Sequence, residues 1–179
     1  MHKYNVLHWH ITDAQSFPLL LDNVPDLAHF GAHHPTLMYT PEDVQSIVSL
    51  GLQHGIRIVP EVDVPSHTAS WSAAYPEIVV QCRKRAQAGA DHFKARDKDT
   101  LDPTLETTYQ VVGWVLDGLV SLFPDQYIHL GGDEVDLNCL YDDPNVMQRA
   151  VTQFGKSGNS KGRPHHPSVG KQMLQYFWD

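Results

Sequence analysis

Cysteine is scarce in this chain. Only Cys82 and Cys139 occur among 179 residues, which excludes a densely cross-linked scaffold and leaves either one disulfide or two buried thiols. Joined, they would close a long loop, with a stabilisation of about 4 kcal/mol in the chain-entropy model. Basic residues are also few: 13 Lys and Arg stand against 21 Asp and Glu, a formal charge of −8. They are scattered, so there is no electrostatic footprint for nucleic acid, and no nucleic-acid partner is expected. No apolar run approaches the roughly 20 residues that cross a bilayer, so no membrane span is expected. The opening "MHKYNVLHWH" has neither the apolar segment nor the small-residue cleavage site of a signal peptide, so none is expected in this chain. No internal repeat or domain boundary stands out, and 41% hydrophobic residues suffice for one core, so residues 1–179 read as a single domain.

Histidine is abundant by contrast. Twelve occur, several in pairs as in "HWH", "AHHP" and "PHHP", and a metal therefore has to be weighed.

Three apolar, aromatic or β-branched runs have strand length: Tyr4–Ile11, Ile56–Val64 and Tyr127–Leu130. Two amphipathic helical patterns lie between them. The first has Thr40 as N-cap, Pro41 at the first helical position, apolar Val44, Ile47, Val48, Leu50 and Leu52, and a stop at Gly55. The second starts at Asp102-Pro103 and carries Leu105, Tyr109, Val112, Leu116, Leu119, Val120 and Phe123. Strands separated by such helices imply βαβ units and a parallel sheet, an α/β class. The helix-to-strand links are minimal, whereas the links after the first two strands run to roughly 28 and about 38 residues, far above the usual few. The elaboration thus sits at the carboxyl ends of the strands, the face where parallel α/β folds build active sites. The stretch 155–167, "GKSGNSKGRPHHP", is polar and rich in Gly and Ser and reads as a loop. A helical pattern with Met173, Leu174, Phe177 and Trp178 follows it.

Each strand finishes in ionisable residues: "HWHITD", "PEVDVPSH" and "HLGGDE". Singly they have bland explanations. His10 reads as a core histidine, Asp13 as a turn cap, His67 as a loop residue, and Asp133-Glu134 as a solvated pair. In a parallel sheet, however, the three ends share one rim. Paired carboxylates there suit cleavage of a glycosidic bond, which needs an acid for the leaving oxygen and negative charge beside a cationic transition state. Neighbouring strand residues point to opposite faces, so both acids reach one site only where the strand bends, which Gly131-Gly132 permits. Two alternatives stand beside this one. In a metal-dependent, amidohydrolase-like hydrolase, "HWH" would supply two ligands and Asp133 or His67 another. In a non-catalytic homologue the chain would bind and not turn over.

Together, "NVLHWHITDAQSFPL", "GIRIVPEVDVPSHT" and "FPDQYIHLGGDEVDLNC" resemble the catalytic domain of the glycoside hydrolase family 20 β-N-acetylhexosaminidases. The resemblance implies a (β/α)8 TIM barrel, of which this chain would hold about strands two to four with their helices, incomplete as given. It implies substrate-assisted, retaining hydrolysis of terminal β-linked N-acetylglucosamine or N-acetylgalactosamine, with glycans ending in these sugars as partners and no metal or other cofactor. Glu134 would be the general acid and then base. Asp133 would orient the substrate's 2-acetamido group, Asp13 and His67 would form a relay to the acid, and Asp63 and His10 would line the sugar site. The resemblance also implies a Cys82–Cys139 disulfide and a lysosomal or secreted location. Two departures from the family pattern are Ser66 where Gly is usual and Leu140 where Trp is common. The family's first strand and its strands five to eight fall outside the match. The isolated chain is therefore expected to be weak or inactive, with a second copy of itself or a complementing barrel fragment as the partner for its open edges.

Overall fold

The computed structural model of the chain describes residues 3–82, 99–154 and 167–178. The expected loop at 155–167 lies, apart from Pro167, outside the described residues.

Two strands, β1 (Val6–Thr12) and β2 (Arg57–Val62), pair in parallel, with Val6 opposite Arg57 and His10 opposite Glu61, and the register slips between His10 and Thr12. The third expected strand joins the other side of β2 through a single parallel bridge, Glu61 to His129. The hydrogen bonds are those of a parallel ladder: His129 N–H to Pro60 O, Val62 N–H to His129 O and Val64 N–H to Leu130 O, at 2.9, 3.1 and 3.0 Å. It is less regular than its sequence suggests. Among the described residues only one of its edges is paired, and Tyr127 at its start is 64% exposed.

Period-two alternation gives this sheet two unlike faces. Trp9, Ile11, Ile58 and Val62 face the helices, with Ile128 and Leu130 packed beside them. Trp9 meets Tyr39 and Phe123 edge-on, with centroids 5.0 and 6.2 Å apart. The opposite face carries His8, His10, Glu61 and His129.

After β1 the chain forms the short helix α1 (Asp26–Gly31) and then α2 (Pro41–Gln53). Helix α2 begins with a reciprocal capping box: Thr40 Oγ1 accepts from Asp43 N–H, and Asp43 accepts from Thr40 N–H. Its buried stripe is Val44 and Gly51, with Ile47 and Val48 alongside. Leu50 and Leu52, expected on that stripe, are 56% and 79% exposed because they fall off its 3.6-residue period. Helix α3 (Glu106–Leu122) starts later than the expected Asp102-Pro103. Asp102 instead closes a turn, its Oδ1 accepting from Thr104 N–H and Oγ1–H at 2.9 and 2.5 Å, while Arg149 pairs with Oδ2. The buried stripe of α3 is Thr108, Val111, Val115 and Leu119, and Val120 is solvent-facing.

The long connection after β2 is pinned back on itself, Leu101 N–H donating to Pro65 O and Asp102 N–H to Ile78 O, both at 2.8 Å. Its described residues make two 3-10 turns (Ala69–Ala73 and Pro76–Ile78) and an antiparallel pair, β3 (Val79–Val80) with β4 (Thr100–Leu101). Trp71, fully buried, meets Phe17 edge-on at 5.5 Å. Among the described residues, three further helices follow the third strand: α4 (Leu137–Asp142), α5 (Pro144–Phe154) and α6 (Pro167–Trp178). They build a second small core from Val80, Leu140, Val146, Ala150 and Met173 around a Cys82–Cys139 disulfide. None of the described helices is long and apolar enough to cross a membrane.

Candidate active site

The carboxyl ends of the three strands deliver the ionisable residues to one rim. Asp13 follows β1 in a tight turn closed by Asp13 N–H to Ser16 O and Ser16 N–H to Asp13 O. Its carboxylate is fully used: Oδ1 accepts from Ala14 N–H at 2.6 Å and lies 3.0 Å from His67 Nδ1, and Oδ2 lies 2.9 Å from His10 Nε2. Burial pushes this carboxyl up, but those hydrogen bonds and the His67 charge outweigh it and hold Asp13 below its ordinary value. His10 is affected in the opposite sense. Burial opposes its proton, yet Asp13 and Glu61 together raise its pKa.

With Nδ1 engaged by Asp13, His67 directs Nε2 toward Glu134. That atom is buried and lies 3.6 Å from Glu134 Oε2. Both partners hold unusual backbone: His67 has φ 61° and Glu134 φ 53°, the two non-glycine residues of positive φ among those described. Each such conformation costs on the order of 1–3 kcal/mol, and such residues cluster where function holds them. Ser66, next to His67, is completely buried.

The turn that presents the acids wraps around Asp63. Gly132 N–H donates to Asp63 Oδ1 at 2.9 Å, and Gly131 and Gly132 have φ 65° and 110°. A Cβ at Gly131 would stand 1.9 Å from Asp63 Oδ1, so no other residue fits there. Gly131→Ala is therefore expected to lower stability by at least about 2 kcal/mol, from left-handed backbone cost and a displaced buried carboxylate. A thermal melt checks this against Gly113→Ala, where a Cβ meets nothing within 4 Å; equal effects at the two positions would contradict it.

Asp63 is 1% exposed. Burial and the Asp133 charge outweigh the Gly132 N–H and His67, raising it to about 6. The folded state then keeps a proton that the unfolded chain has lost above pH ~4, so stability falls as pH rises from about 4 to 6. Relative to Asp63→Asn, the wild type is expected to lose on the order of 3 kcal/mol across that window. Urea melts at pH 4, 5, 6 and 7 check it, and a pH-independent difference would refute it.

An imidazole nitrogen of His67 and an oxygen each of Asp63 and Asp133 lie within 4.8 Å of one another. The alternative in which "HWH" acts with Asp133 or His67 on one metal is not what the fold assembles among the described residues: His8 turns to Glu61 and His129, and His10 to Asp13 and Glu61. Sequence reading weighed His8 only as a metal ligand within "HWH" and gave Glu61 and His129 no role, although Glu61 stands two residues before Asp63. It also missed Trp178, whose ring lies 3.3 Å from where a Gly132 Cβ would be.

A family model described as glycosyl hydrolase family 20, catalytic domain, matches residues 1–177. The chain belongs to glycosyl hydrolase family 20. Among the relatives of this family-20 chain, the β-hexosaminidase subunit beta of Mus musculus is 39% identical over 145 residues, covering 81% of this chain and 26% of its own length. The chitobiase of Flavobacterium johnsoniae superposes with a TM-score of 0.72 at 29% identity, over 97% of this chain and 24% of its own. The family-20 β-N-acetylhexosaminidase of Streptomyces coelicolor does so with 0.60 at 30% identity, over 87% and 32%. The chain spans about a quarter of the length of the mammalian relatives it matches. The disulfide implied by the family resemblance is present in the structure.

Proposed function

We propose that this chain carries the acid/base and acetamido-orienting part of a retaining β-N-acetylhexosaminidase site. The observation that carries this reading is the line Asp13–His67–Glu134, at 3.0 and 3.6 Å, ending beside Asp133 at the carboxyl rim of a parallel sheet. Glu134, with its side chain 59% exposed, is free to meet a substrate oxygen. It protonates the leaving glycosidic oxygen as the carbonyl oxygen of the substrate's 2-acetamido group attacks the anomeric carbon and the C–O bond breaks. Asp133 holds the acetamido N–H and offsets the positive charge of the bicyclic intermediate. Glu134, now a carboxylate, takes a proton from water, which attacks the anomeric carbon and reopens the ring with net retention. No enzyme nucleophile forms a bond, as the exceptions to the two-carboxylate scheme allow.

His67, oriented by Asp13, tracks the charge on Glu134 through both steps. Asp63, buried beneath the glycine turn, acts on the sugar site through Asp133, and His10 completes that side from beside Asp13. Residues 1–179 then act as one partial catalytic domain, strands two to four of a (β/α)8 barrel. Exposed Val6 and Leu7 on β1, 41% and 46% exposed, support covering of the open edges by a second copy or a complementing barrel fragment. The disulfide supports an oxidising, lysosomal or secreted setting.

The test is hydrolysis of a chromogenic N-acetyl-β-glucosaminide by the purified chain in chelator at mildly acidic pH. Slow turnover that survives the chelator is expected; turnover that the chelator removes would favour the metal-hydrolase alternative.

A further inference from the structure

A second cluster of side chains lies on the polar face of the sheet. Glu61 is the hub. It is 6% exposed, yet both of its oxygens are in use: Oε2 contacts His8 Nε2 and lies 3.4 Å from His10 Nδ1, and Oε1 lies 3.2 Å from His129 Nδ1. The two described arginines with ion pairs serve other acids, Arg57 on Asp125 and Arg149 on Asp102. A buried carboxylate faced only by imidazoles needs positive charge from elsewhere or from protons on those rings.

His129 sharpens the point. Its Nδ1 lies within reach of both Gly131 N–H, at 3.0 Å, and Glu61 Oε1, at 3.2 Å. The His8 and His129 rings have centroids 4.8 Å apart and side chains each 51% exposed, which leaves coordination positions open to water.

We propose that His8, Glu61 and His129 form a binding site for a divalent transition-metal ion that ties the three neighbouring strands together. One nitrogen of each imidazole and one oxygen of Glu61 lie within 4.8 Å of one another, from β1, β2 and the third strand. In a tetrahedral site with metal–ligand bonds of about 2.0–2.2 Å, donors stand roughly 3.3 Å apart, within reach of small ring rotations. Two imidazoles and one carboxylate select Zn2+, Co2+ or Ni2+ over Mg2+ and Ca2+, which prefer all-oxygen sets. The ion has no part in glycoside cleavage: Asp63, His67, Asp133 and Glu134 are not its ligands. Its role is to replace the protons that Glu61 otherwise needs and so to fix the register of the polar face.

The chain, stripped with chelator and dialysed, is titrated with Co2+ while visible absorption is followed, with Zn2+ as competitor. One ion per chain is expected, and His8→Gln and His129→Gln should each weaken binding by at least tenfold, whereas the paired loop variant His33→Gln/His34→Gln leaves it unchanged. Should the site variants fold poorly, imidazole 15N spectra of the wild type decide the matter: Zn2+ should move the ring signals of His8 and His129 and not those of His29 or His54. Absence of saturable uptake, uptake indifferent to His8→Gln and His129→Gln, or ring shifts confined to other histidines would overturn the proposal.

Discussion

Glu134→Gln is expected to lower kcat/KM for an aryl N-acetyl-β-hexosaminide by about 10²–10⁴-fold, the usual worth of a positioned general acid. The amide keeps the shape of the carboxyl and its place at φ 53°, but it can neither give the leaving oxygen a proton nor take one from water. The loss should therefore fall on kcat rather than on KM, because sugar binding is not what the substitution removes. It should also shrink as the leaving group becomes more acidic and needs less protonation. That dependence is measured with a series of substituted phenyl glycosides. A uniform loss across the series would mean that Glu134 does not protonate the leaving oxygen.

Opening the Cys82–Cys139 disulfide is expected to lower stability by about 4 kcal/mol, since the bond closes a loop of sequence separation 57. The corresponding drop in melting temperature is roughly 10 °C for a chain of this size. The bond joins the segment after β3 to α4, five residues beyond Glu134, and it sits inside the small core of Val80, Leu140, Val146, Ala150 and Met173. Loosening it frees the acid-bearing turn at its far end, while the glycine turn around Asp63 still anchors the near end. Urea melts of oxidised protein and of Cys82→Ser/Cys139→Ser measure the difference. Coincident transitions would show that the helices α4 to α6 hold that segment unaided.

The parts of this molecule that a sequence displays well are those governed by local pattern. The strands β1 and β2, the N-cap at Thr40, and the bend at Gly131-Gly132 all follow from residue type and spacing over a few positions. Helix faces are less legible. Val120, Leu50 and Leu52 are apolar and face solvent, because a helix surface is sorted by what packs against it and not by hydrophobicity alone. The start of α3 was missed because Asp102, a good N-cap by type, is held in a turn by Thr104 and by Arg149 from a helix 47 residues away. The Glu61 cluster was hidden for a similar reason. His8, Glu61 and His129 come together only once the register of three parallel strands is known, and that register is tertiary information. Trp178 over Gly132 is the same kind of contact, set by how α6 docks.

The most direct test of the central claim compares two substrates that differ in one substituent: a 4-nitrophenyl N-acetyl-β-glucosaminide and the matching β-glucoside, which has a hydroxyl in place of the 2-acetamido group. Both are offered to the folded chain in chelator. If Asp133 orients the acetamido group as nucleophile and Glu134 supplies the proton, the first is cleaved, the second is not, and Glu134→Gln removes the difference. Cleavage of both at similar rates, or turnover undiminished in Glu134→Gln, would contradict the account.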